Sequence, residues 1–180
     1  MRFTTRLAIT VAILTAAPLA ADQGTATATA TASKAPDPHA QMHMRGAEVM
    51  GFDQEKTSHH FLLYADGGAI DVAVNDKAEG REEMMALRDA IRQHLPHIAK
   101  LFGSGDFSAP MLVHETDVPG TKELAKLKDK VVYTYADTDR GGRVDITTSD
   151  PTAVAALYKF LRFQISDHKT GDSGKIETRK

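Results

Sequence analysis

The sequence predicts an α+β domain in which two β-hairpin–α units form an antiparallel sheet with helices packed on one face. Two observations carry this. A strand–turn–strand pattern occurs twice, and each copy is followed by a stretch with apolar residues at helical spacing. A third bounds it: 180 residues with 42% hydrophobic content suffice for one core and little more.

The first hairpin is read from residues 61–64 and 70–74, around Ala65-Asp66-Gly67-Gly68. Asp-Gly favours a type I′ turn because both central residues need positive φ. With Asp66 and Gly67 in those places, Leu63 faces Ile70, Phe61 faces Val72 and His59 faces Val74. The other face, with His60, Leu62, Tyr64, Asp71 and Ala73, is mixed.

Residues 81–102 follow as a helix on Met84, Leu87, Ile91, Leu95 and Ile98. Pro96 removes a donor and crowds the preceding turn, so a kink or break is expected near residues 92–95. Gly103-Ser104-Gly105 ends the element. Residues 111–113 read as a short strand and residues 121–128 as a short helix. The second hairpin pairs residues 131–135 with 143–148 around the polar loop 137–142. The last helix opens on Asp150 as N-cap and Pro151 at the first helical position. Its stripe is Val154, Leu157, Tyr158, Leu161, Ile165 and His168. An offset of 74 relates the halves, bringing Asp71 to Asp145, Leu87 to Leu161, Ile91 to Ile165 and His94 to His168. Gly67-Gly68 and Gly141-Gly142 are assigned to the hairpin turns.

The ends read differently. Residues 1–21 have the form of a cleaved signal peptide: Arg2 and Arg6, an uncharged apolar run over 7–17, then Pro18 and small residues. The run is too short for a permanent span of about 20 apolar residues. The expectation is therefore a periplasmic or secreted protein with no integral membrane anchor after cleavage. Residues 22–45 are expected to be a flexible tether, since about 23–40 lack large apolar side chains, 46–172 a single domain and 173–180 a disordered tail.

Without the two leader arginines, 20 basic residues face 24 acidic ones, a net charge of −4. With no basic block, nucleic acid is not an expected partner. Zero cysteines exclude disulfides, thiolate metal sites and cysteine nucleophiles. Soft-metal chemistry in such a chain falls to histidine and methionine. Imidazole suits copper, zinc and nickel, and thioethers suit soft ions. His39, Met42, His43 and Met44 form the densest group. His59 and His60 are adjacent, which on a strand turns them to opposite faces. His94 and His168 lie on the helical stripes, and Met111 and His114 form a further soft-plus-imidazole pair.

Three functions follow as expectations. The first is an exported metal-binding protein, a copper buffer or carrier using those His and Met ligands. The second is a small-molecule or partner-binding module on the mixed sheet face around His60, Leu62 and Tyr64. The third is an enzyme using His59, His60 or His168 as acid or base, since imidazole titrates near neutrality. No nucleophile elbow, P-loop or His-Glu-x-x-His motif is present.

Met50-Gly51-Phe52-Asp53, then Lys56-Thr57-x-His59-His60-Phe61-Leu62-Leu63, and later Phe160-Leu161-Arg162-Phe163-Gln164-Ile165-x-x-His168-x-Thr170-Gly171-Asp172 carry a resemblance. They resemble a family of small bacterial proteins without assigned chemistry, over about residues 46–172. Some members are labelled aspartate carbamoyltransferase. The chain is too short for two carbamoyltransferase domains and has no Ser-Thr-Arg-Thr phosphate loop. The resemblance implies one coherent domain and no particular activity.

Overall fold

The computed structural model describes residues 37–179. The expected signal peptide and most of the expected tether lie outside the described residues, as does Lys180. The elements are α1 (Pro38–Met50), β1 (Thr57–Tyr64), β2 (Gly67–Val74), α2 (Gly80–Ser104), α3 (Ser108–His114), α4 (Thr121–Lys126), a short 3-10 turn (Lys128–Lys130), β3 (Val132–Thr138), β4 (Gly141–Thr147), α5 (Pro151–His168) and β5 (Ile176–Glu177). The fold is α+β, as the two hairpin–helix units predict.

The sheet order is β3-β4-β2-β1-β5. The hairpins β1–β2 and β3–β4 join through antiparallel β2 and β4, and β5 adds two residues parallel to β1. Each long helix packs across the junction: α5 lies mainly on β1 and α2 mainly on β4 and β3. The fully buried core between sheet and helices is built from Leu63, Val72, Val144 and Ile146 below and Ile91, Leu157, Phe160 and Leu161 above. Two glycines allow this approach. A Cβ on Gly68 would sit 2.4 Å from Leu161 Cδ1, and one on Gly142 would sit 3.1 Å from Leu95 Cδ1. Both Gly-Gly pairs open a second strand of a hairpin, where the sequence reading put them in the turns.

The first turn has two central residues, as the type I′ expectation has, but sits one residue earlier. Phe61 faces Ile70 and His59 faces Val72, so the loop is Ala65-Asp66 and the register moves by two residues. A shift of two keeps every side chain on its face, so the assignment of faces is unaffected. Asp66 is not among the positive-φ residues, which is why it does not serve a type I′ turn.

Four further expectations are corrected. Residues 38–45 are not a tether: they form most of α1, capped where Asp37 accepts from the His39 N–H at 3.0 Å, with Pro38 in the first turn. Met42 turns inward to 4% exposure, and Arg45 donates to the Val113 carbonyl and pairs with Glu115 on the segment after α3. Residues 111–113 are helical in α3, because an apolar triplet carries no period of its own. Helix α2 runs on through Pro96 without a break; Pro96 costs one N–H, and a 25-residue helix packed on Ile91, Leu95, Ile98 and Phe102 absorbs it. The tail 173–180 is not featureless over its described part: β5 pairs with β1, and Arg179 donates to Asp145 and Asp66. Among the described residues no helix is long and apolar enough to cross a membrane.

Candidate functional site

Four elements bring histidines to one end of the core. α1 carries His39 and His43 one turn apart, with ring centroids 4.3 Å from each other. β1 sends His59 to the helix side of the sheet. α5 ends on His168, stacked on His59 at 5.7 Å and nearly parallel. α3 ends on His114, edge-on to His168 at 5.0 Å. His94 of α2 joins through Phe52, whose ring meets His94 at 5.7 Å and His59 at 6.2 Å.

Burial sets the charge of this cluster. A buried imidazole loses hydration of its charged form, so its pKa falls. Burial, helped by His94, His43 and His60, pushes His59 down to about 4. Burial pushes His168 to about 3, reinforced by His59, His114, His43 and His39. His94 drops to about 4 through burial and then His97, and burial followed by His39 lowers His43. At neutral pH these four are uncharged and keep a free lone pair.

The hydrogen bonding divides the histidines. His114, with its side chain 2% exposed, is fully engaged: Nδ1 meets Asp167 at 2.5 Å and Nε2 meets Gln164 Oε1 at 3.1 Å. As the Gln164 amide stands, both contacts are to oxygen. Turned over, the Gln164 amide would instead give an N–H to a neutral ring. His60 points to the far side of the sheet, with Nδ1 2.9 Å from Asp172. Asp172 also accepts from the Phe61 N–H and the Thr170 hydroxyl. By contrast, Nε2 of His39 and Nε2 of His59 are buried with no hydrogen-bond partner among the described residues.

Two spaces adjoin the cluster. An inner cavity of about 70 Å³ lies under His59 and His168, floored by Ile70, Val72 and Phe160. An outer groove of about 190 Å³ is lined by His43, Ser58, His60 and Thr170, and also by His59 and His168. Those two rings thus border both.

Of the ten expected ligands, the structure gathers His39, His43, His59, His114 and His168, with His94 at the margin. Met42 is buried, Met44 is exposed at 64% and Met111 at 36%, and His60 faces away. Among the described residues, no three His, Cys, Asp or Glu side chains stand ready to hold an ion. The mixed sheet face expected to receive a ligand is occupied: Arg179 lies 4.4 Å over the Tyr64 ring, and Arg143 bridges Tyr64, Asp71 and Asp145. Sequence reasoning missed Gln164, Asp167 as the partner of His114, and Asp172 as the partner of His60. The signal for Gln164 was available, as a polar residue three past Leu161 and four before His168, inside the α5 stripe.

No family model, no curated protein and no solved structure matches the chain. The resemblance seen over residues 46–172 rests on its motifs alone.

Proposed function

We propose that the protein binds a transition-metal ion, copper first, at the imidazole cluster, and serves as a buffer or carrier outside the cytoplasm. One observation carries the reading. His39 and His59 each bury an Nε2 with no partner, within a group of rings that burial keeps neutral. A buried polar atom without a partner costs about 1–3 kcal/mol, which a bound ligand recovers. Neutral imidazole is the form that coordinates a metal.

The donor set fits copper chemically. Cu(I) is soft and accepts few ligands, so two or three imidazoles suffice. His39 and His43 share one helix face, and His43 lines the same groove as the stacked His59 and His168. His114, held at both ring nitrogens by Asp167 and Gln164, buttresses His168 and is not itself counted as a ligand. The exported location is supported by the leader pattern in residues 1–21.

The test is competition for Cu(I), Cu(II) and Zn(II) against chelators of graded affinity, on the wild type and on a His59→Phe/His168→Phe variant. The expected outcome is one equivalent of Cu(I) bound tightly by the wild type and a loss of at least about tenfold in the variant. Binding weaker than about 100 μM for all three ions, or equal in both proteins, would remove the proposal.

A further inference from the structure

The inner cavity presents a second demand, which shares His59 with the copper site and adds Gln164. It is apolar over most of its wall, with Val72, Ile98, Val113 and Phe160 among its lining residues. Yet two side chains that line it carry polar atoms without partners. His59 Nε2 is one; Gln164 Nε2, on a side chain 4% exposed, is the other. Turning the Gln164 amide over changes which of its atoms is stranded and does not remove the deficit, because His114 Nε2 engages only one of the two.

An apolar cavity with two stranded polar atoms is not built to stay empty. A cavity of about 150 Å³ lined only by apolar groups stays dry and takes benzene. This one is about half that size and has polar atoms on its wall. We propose that it is a binding site for a small neutral molecule bearing one oxygen, a short-chain alcohol or ketone of roughly three to five heavy atoms. The oxygen sits between Gln164 and His59, accepting from the amide N–H and pairing with the imidazole Nε2. The carbon body lies against Val72, Ile98, Val113 and Phe160. A charged ligand is disfavoured, since the wall offers no counter-charge within an apolar enclosure. His59 and His168 border both this space and the neighbouring groove.

So small a ligand binds weakly, with a dissociation constant of roughly 1–10 mM. The experiment is a titration of the metal-free full chain with 2-propanol and acetone, in chelator, followed by methyl NMR. The expected result is saturable shifts at the Val72, Ile98 and Val113 methyls. Gln164→Leu weakens binding about five- to tenfold, the value of one hydrogen bond. Because Gln164→Leu also disturbs His114, a second variant, Ala109→Leu, fills the cavity from α3 and abolishes the saturable shifts. Shifts that rise linearly without saturation, or that are unchanged in both folded variants, overturn the proposal. So does a resident water that gives exchange cross-peaks to these methyls and persists at saturating alcohol. Since no metal is present, this outcome is separate from the fate of the copper site.

Discussion

The two faces of the sheet handle polar side chains in opposite ways. On the open face, Asp71 and Asp145 both meet Arg143, Asp145 and Asp66 both meet Arg179, and Tyr64 is covered by both guanidiniums. Only Arg179 Nε lacks a partner there. On the helix face, imidazoles are crowded together with few partners, and burial strips their charge instead. Paired groups stabilise a fold by themselves; stranded neutral ones are costly unless something else binds. The contrast separates a face whose charges are paired with one another from one whose imidazoles have few partners.

The layer between the two faces gives the largest effect. Leu161 is completely buried and sits over Gly68. Leu161→Ala should cost about 2–5 kcal/mol in urea unfolding. A loss under about 0.5 kcal/mol would mean that α5 does not seat on the sheet as described.

Acid acts on the helix face through its buried imidazoles. His59, His94 and His168 titrate at about 4, 4 and 3 when folded, against an ordinary 6.5 when unfolded. Below pH 6.5 the unfolded chain therefore binds more protons, and stability falls as pH drops towards about 4 and then 3, levelling off below that. His59 alone should account for about 2–3 kcal/mol between pH 7.5 and 4.5. Urea midpoints at those two pH values measure it, and His59→Phe should flatten the dependence. A wild-type midpoint that is the same at both pH values would show that the rings are solvated.

Salt attacks only the open face. Arg143→Met strands Asp71 and part of Asp145, at a cost of roughly 1–2 kcal/mol in low salt. The cost should shrink in 1 M NaCl, where the screening length is about 3 Å. If 1 M salt leaves it unchanged, the network is packing rather than charge. The smallest effect belongs to His60→Ala. His60 is half exposed, its bond to Asp172 is one of three that carboxylate accepts, and the loss should stay below about 1 kcal/mol.

Much of the fold was legible because it is periodic. Helix α5, its Asp150 cap and both hairpins were read correctly, and Asp150 does accept from the Thr152 and Ala153 N–H groups; of the expected α5 stripe only Leu157 and Leu161 lie on the buried face, which Ala153, Ala156, Phe160 and Gln164 complete. α1 was not legible, since small residues and one inward methionine give no periodic signal; its cap at Asp37 was the clue. Only three consecutive apolar residues mark α3, so strand and helix read alike. The site depended on these two elements. His59 and His168 were named from composition, but their stacking is a long-range contact that no local pattern encodes. Asp167 adjoins His168 in sequence, yet neighbours on a helix point apart. Asp167 serves His114 on α3 instead.

The central claim is that the stranded imidazoles hold copper in the folded state. The direct measurement is thermal unfolding of metal-free protein at pH 7, with and without Cu(I), for the wild type and for His59→Phe/His168→Phe. An ion bound only by the native state raises the transition by mass action. With free ion at a hundred times the dissociation constant, the wild type should gain roughly 5–10 °C and the variant almost nothing. No gain in the wild type, or an equal gain in both proteins, would contradict the account.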